Sequence, residues 1–413
     1  MKKILTVATI VVLCLLLIAF IVIRAQNDVV APVNTPKPAF DADAEYFTFN
    51  FVGDNTLEGS AFESLSGGNP DYPYANTKQY FENAEFNFAN LECNFSDDAS
   101  LYSDSMFHFR APTKNVEVLT RAGIDFVTTA NNHMMDYGNN GLYDTLDTLD
   151  AAGIAYGQDG KATVFETENG LRIGIYCGFQ QVSEKHVAAC INELKGKNVD
   201  YIICAFHWGE EGAYRPGGNQ KSLAHAAIDA GADLVYGSHP HVLQPVEEYK
   251  GCLIMYSLGN WCFGGNSHPA DMDTAIIQVT VKRSTDGSVS TADYKLIPCR
   301  FSSVSSRNDY CPTPYEEGTQ EYERAMSKLL GTFTGPNLVI DYSGMQTPED
   351  TQSPDISQVP QTAEVTDTPP VTRAPLITYN PEIIPRPEKT QVISPTPTPD
   401  AEIPETPVPK EIA

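Results

Sequence analysis

The chain has 413 residues, and its 53 acidic against 27 basic side chains give a net charge of −26. So large an acidic excess argues against nucleic acid or an anionic lipid surface as a partner of the exposed surface, and an anionic substrate would need cations gathered locally. Nine cysteines with no Cys-x-x-Cys pair argue equally against a thiolate zinc site.

Met1-Lys2-Lys3 precedes an apolar run from Ile4 to Ile23, closed by Arg24. Twenty residues at ~1.5 Å each reach ~30 Å, the thickness of a bilayer core, so residues 1–25 are expected to form an uncleaved membrane anchor. Lys2, Lys3 and the amino terminus outweigh Arg24, which predicts a single-pass cell-membrane protein with everything after residue 25 outside the cytoplasm. Residues 26–43 read as a linker. Residues 346–413 hold 15 of the 29 prolines and no glycine, with eleven acids against four bases. Such a segment lacks the apolar surface to offset its ordering entropy and is expected to be a disordered tail. Between them, 44–345 is long enough for one large α/β domain.

Within that domain, Phe47, Phe49 and Phe51 alternate with Thr48 and Asn50, the period of a strand. Further strands are expected at Phe86–Leu91, Phe126–Ala130, Tyr201–Phe206 and Leu234–Tyr236, then at Leu253–Leu258, Thr274–Val281 and Tyr294–Cys299. Leu142, Leu146 and Leu149 share one helical face, as do Leu223, Ala224, Ala227 and Ile228. Gly123, Gly153 and Gly231 each stand where a helix gives way to a strand, the place for a left-handed cap. The last strands have no helices between them, so the sheets are expected to be mixed. Cys177 and Cys204 read as core residues; a disulfide among Cys252, Cys262, Cys299 and Cys311 is permitted outside the cytosol.

The strand ends carry the functional signal. Asp54, Glu92, Asn132 with His133, His207, and His239 with His241 stand at five strand-to-loop junctions. Singly each has a bland explanation as a turn residue, a solvated charge, a cap or a packed ring. Together they predict a common metal site, because ligands gather beyond the carboxyl ends of strands in α/β sheets. A mixed carboxylate, amide and imidazole set suits Zn, Mn or Fe better than Ca or Mg.

Six motifs in order carry a family resemblance: Gly53-Asp54, Asn90-Leu91-Glu92, Asn131 to Gly138, His207 to Glu211, Gly237 to His241, and Tyr256 to Asn260. This series resembles the CapA family of poly-γ-glutamate capsule synthesis proteins, itself similar to calcineurin-like metallophosphoesterases. The resemblance implies an αββα sandwich of two mixed sheets flanked by helices, holding one or two divalent metal ions. Asp54 would hold one metal, Glu92 would bridge, Asn132, His207 and His239 would hold the second, and His241 would return to the first. His133 would be a proton donor held by Asp136. The implied partners are an anionic polymer such as poly-γ-glutamate and other membrane proteins of capsule synthesis.

Two departures stand out. Metallophosphoesterases usually carry histidine two residues after the first aspartate, where this chain has Thr56, and their bridging aspartate is Glu92 here. Gly212 also replaces an aromatic common after the His-Trp-Gly-x-Glu motif. Two functions follow. One is a metal-dependent hydrolase or transferase, in which bound metal activates water and His133 protonates the leaving group, with Arg110 or Arg215 as a fork for substrate carboxylates. The other is a non-catalytic, metal-containing component that binds or exports the polymer.

Overall fold

The structure, a computed structural model, describes residues 41–98, 107–180 and 182–339. The expected anchor and tail and most of the linker lie outside these residues. Among the described residues, no helix is long and apolar enough to cross a membrane.

Among the described residues, fifteen strands are arranged mainly in two sheets. The first contains β1 (Glu45–Asn55), β2 (Phe86–Leu91), β5 (Phe126–Thr128), β6 (Ala155–Gly157), β13 (Asp273–Arg283), β14 (Val289–Arg300) and β15 (Thr313–Pro314), in the order β15-β14-β13-β1-β2-β5-β6. The second contains β7 (Lys161–Glu166), β8 (Arg172–Phe179), β9 (Tyr201–His207), β10 (Leu234–Ser238), β11 (Val246–Tyr249) and β12 (Cys252–Met255), in the order β11-β12-β10-β9-β8-β7. A short pair, β3 (Asn94–Phe95) and β4 (Arg110–Ala111), stands apart.

Both sheets are mixed, as expected. β1, β2, β5 and β6 run parallel, and so do β8, β9, β10 and β12. Antiparallel strands occupy the flanks. The candidate ligands stand at or just after the carboxyl ends of five of the parallel strands, β1, β2, β5, β9 and β10.

Alternation decides what each face buries. Phe49, Phe51, Phe86 and Phe88 meet Tyr201, Ile203 and Tyr236 between the sheets. Phe88 and Tyr236 cross the gap edge to face with ring centroids 4.8 Å apart, and the Tyr236 hydroxyl donates to the carbonyl of Val52 at 2.8 Å. Each buried ring of this kind contributes about 1.5–3 kcal/mol. On the outer face of the first sheet, Val52, Ala89 and Val127 pack with Leu119 and Leu149. On the outer face of the second, Ile202, Cys204 and Val235 pack with Ile191, Ala224 and Ala227. The result is the αββα sandwich implied by the resemblance.

The helices behave as their periodicity predicts. Gly138–Ala152 buries Leu142, Leu146 and Leu149, and Gly218–Ala230 buries Leu223, Ala224, Ala227 and Ile228. Gly123, Gly153 and Gly231 close helices at φ of 74°, 74° and 108°. Val116–Ala122, Glu184–Lys195 and Gln320–Leu329 are further helices of these layers. The last is tied down by Lys328, whose buried ammonium donates to Asp271 at 2.5 Å and to Asp273 at 2.6 Å. The eight cysteines of the described residues, including Cys252, Cys262, Cys299 and Cys311, are free thiols.

Candidate metal centre

A bulge in β1 aims the first ligand. Between the pairs Phe51 with Phe88 and Asp54 with Asn90, β1 uses one residue more than β2. The extra residue reverses the alternation, so Asp54 rather than Gly53 shares a face with Asn90. Gly53 is required at the bend, since a Cβ there would lie 1.9 Å from the carbonyl oxygen of Gly259.

Glu92 follows β2 and is fully buried. One amide orders both carboxylates: Nδ2 of Asn90 donates to Oδ1 of Asp54 at 2.8 Å and to Oε2 of Glu92 at 3.1 Å. Asn131 in turn donates to Oδ1 of Asn90 at 3.1 Å.

His207 ends β9 on its inward parity. Its Nδ1 pairs with Ser238 Oγ at 2.9 Å, leaving Nε2 to face Asn132 Oδ1 at 2.7 Å and Glu92 Oε1 at 3.5 Å. His239 and His241 follow β10 with φ of 96° and 56°, a left-handed backbone that side chains seldom adopt and that marks functional turns. Nδ1 of His241 pairs with Asn260 Oδ1 at 2.9 Å and lies 3.4 Å from Asp54 Oδ2, while Nε2 lies 3.7 Å from Glu92 Oε1.

Ligand atoms of Asp54, Glu92 and His207 lie within 4.8 Å of one another, and so do those of Glu92, His239 and His241. Glu92 belongs to both groups, which places it at the centre of the set. His241 also approaches Asp54, and the His207 and His239 rings lie 4.7 Å apart.

Two buried atoms test whether a cation fits. Among the described residues, Glu92 Oε1 and His239 Nδ1 have no hydrogen-bond partner, although an unsatisfied buried polar group costs about 1–3 kcal/mol. Both belong to the converging groups, and both are lone-pair donors to a metal. Electrostatics points the same way. Burial, reinforced by Asp54, pushes the Glu92 carboxyl well above its ordinary range. Burial opposes the charge on His241, but Glu92, Asp54 and Glu211 outweigh it and push the imidazole up to about 10. Burial, with His241 and His133 adding to it, lowers His239 to about 3, so that ring is neutral and ready to coordinate. The residues present fit a divalent cation.

Beside the centre, Nδ1 of His133 lies 2.7 Å from Asp136 Oδ2, and the same oxygen accepts the Phe109 backbone N–H at 2.8 Å. His133 lines a cleft of about 470 Å³ together with His241, Glu211 and Asn260. The structure thus assembles Asp54, Glu92, Asn132, His207, His239 and His241, with His133 and Asp136 alongside.

Arg110 and Arg215 are placed elsewhere. Arg110 donates to the Ser96 carbonyl at 2.7 Å, Arg215 to the carbonyls of Phe333 and Gly335, and neither lines the cleft. The residues after Asp54 are also committed: Asn55 donates to the Gly53 carbonyl and Thr56 Oγ1 accepts from the Gly264 N–H at 2.7 Å. Asn90, Ser238 and Asn260 were given no role by sequence reasoning. All three fall within the quoted motifs, which was the available signal.

Fold and site together define an α/β sandwich with a buried carboxylate, amide and imidazole centre at the ends of its parallel strands. The family described as bacterial capsule synthesis protein PGA_cap matches residues 48–179 and 158–265, and the chain belongs to this family. It is 30% identical over 317 residues to the capsule biosynthesis protein CapA of Bacillus anthracis, covering 66% of this chain and 75% of that protein. It is 35% identical over 209 residues to the PGA biosynthesis protein CapA of Bacillus subtilis (strain 168), covering 45% of this chain and 54% of that one. Among solved structures, the NAD nucleotidase of Haemophilus influenzae aligns with a TM-score of 0.38 at 13% identity, over 70% of this chain and 56% of that one.

Proposed function

We propose that this chain is an extracytoplasmic, membrane-anchored protein of poly-γ-glutamate or related capsule polymer synthesis, acting as a metal-dependent hydrolase or transferase. The observation that carries the catalytic reading is the pair of buried, unpartnered ligand atoms, Glu92 Oε1 and His239 Nδ1, with the His133–Asp136 pair beside them. Asp54, Glu92, Asn132, His207, His239 and His241 would hold one or two divalent ions, Mn, Zn or Fe. A metal there supplies Lewis acidity and lowers the pKa of water.

The chain's own residues do the rest. Asp136 fixes the His133 ring through Nδ1 and leaves Nε2 to deliver a proton to a leaving group in the cleft. Asn90 keeps two carboxylates together that would otherwise repel. The anchor at residues 1–25 would place this chemistry at the outer face of the cell membrane, beside other membrane proteins of capsule synthesis.

A second reading, a non-catalytic component that binds or exports polymer, draws on Thr56, which is spent on the Gly264 N–H and leaves the Asp54 side of the centre short of a histidine. Assays of the purified protein on a phosphodiester and on poly-γ-glutamate, with and without added metal, separate the two. Turnover that requires metal and falls in His133→Ala supports the enzyme; polymer binding without turnover on either substrate supports the second reading.

A further inference from the structure

The cleft beside the centre has a composition that the proposed polymer does not explain. Its wall begins at the site itself: the Phe109 ring lies 4.2 Å from the His133 ring, and the Phe263 ring 4.8 Å from the His241 ring. Phe109 and Phe263 meet edge to face at 5.3 Å, so one aromatic surface runs from the proton donor to the metal ligands. Phe107, Phe301, Leu338 and Val339 extend it. Leu338 is brought in by Gly212, whose carbonyl accepts the Leu338 N–H at 2.9 Å. A Cβ at Gly212 would lie 2.2 Å from the Leu338 carbonyl oxygen. The glycine that replaces an aromatic side chain therefore admits another apolar wall.

Among the described residues, no lysine or arginine lines the cleft. Arg110 and Arg215 donate to backbone carbonyls, and Lys328 to Asp271 and Asp273. A polymer with a carboxylate on every residue would meet acidic Glu211 and Asp271 in this cleft and lose hydration with no lysine or arginine in the lining to receive it. A pocket of this size that sets an aromatic wall of Phe107, Phe109, Phe263 and Phe301 beside polar groups suits a small amphiphile.

We propose that the cleft binds an apolar or aromatic group joined to an anion held at the metal centre, so that the substrate is a small amphiphile with an anionic head and a hydrocarbon or aryl group. The polymer's carboxylates then lie outside the cleft. This rests on the metal-dependent reading above.

Calorimetric titration of the Mn-loaded full-length protein with methylphosphonate, phenylphosphonate and tri-γ-glutamate tests it. Phenylphosphonate should bind roughly 10- to 100-fold more tightly than methylphosphonate, the worth of burying one ring. Phe263→Lys and, at the outer part of the wall, Phe107→Lys should weaken phenylphosphonate and strengthen tri-γ-glutamate. Equal binding of the two phosphonates, or tri-γ-glutamate binding more tightly than phenylphosphonate to the parent protein, overturns the cleft assignment while leaving the metal centre intact. Failure of methylphosphonate to bind in a metal-dependent way overturns the metal reading and the cleft assignment together.

Discussion

Nδ2 of Asn90 sits 2.8 Å from Oδ1 of Asp54, and the same amide reaches Glu92. Two buried carboxylates within reach of one cation repel each other when the cation is absent, and this amide is the neutral group that holds them in place. Asn90→Ala should therefore lower metal affinity by roughly 10- to 100-fold, the usual worth of a residue that orients ligands. Competition against a chelating dye measures this, with far-ultraviolet circular dichroism confirming the fold. Unchanged affinity in a folded Asn90→Ala protein would show that the carboxylates need no such tie.

Glu58 gives a pH dependence separate from the ligands. It is buried, accepts from the backbone of Arg110, and burial pushes its carboxyl from 4.5 up to about 8. The folded protein keeps this proton to about pH 8, whereas the unfolded chain loses it near 4.5. The associated stability is thus present in full below pH 4.5 and lost as pH rises through 8. Glu58→Gln should match the parent at pH 4.5 and exceed it above pH 8 by on the order of 3 kcal/mol in urea unfolding. A constant difference between the two proteins across this range would contradict the assignment.

Lys328 joins the last helix to the sandwich. Its ammonium is shared by Asp271 and Asp273, and Arg324 adds a second cation to Asp273 at 2.6 Å. Removing one partner of a buried ion pair costs about 3–5 kcal/mol, because the other charge is left uncompensated. Lys328→Met should lower the melting temperature by roughly 5–10 °C. A shift below about 1 °C would show that the aspartates find other partners.

The sequence revealed the sandwich because the strands that build it are strongly patterned. Phe86–Leu91 has the bounds read from its residues, and the glycine-capped helices fall where expected. What sequence periodicity hid is the geometry that completes the site. Continued at period two, Phe47, Phe49 and Phe51 would turn Asp54 away from the centre, and only the bulge opposite Asn90 brings it back. The left-handed turns at His239 and His241 are equally invisible to pattern, because nothing in Ser-His-Pro-His specifies positive φ. Arg110 and Arg215 were read as a fork for substrate carboxylates, and the carbonyls of Ser96, Phe333 and Gly335, which no motif announces, accept from them.

The most direct test of the account is the metal content of the full-length protein after loading with Mn, Zn or Fe and desalting, measured by mass spectrometry alongside His239→Ala and His133→Ala. His239 offers a buried nitrogen without a partner, whereas His133 is held by Asp136 at the side of the centre. The parent and His133→Ala should retain about one or two ions per chain, the number of ions the ligand set can hold, and His239→Ala should lose them. A parent protein that retains no metal, or a His239→Ala protein that retains as much as the parent, would contradict the metal centre and the chemistry derived from it.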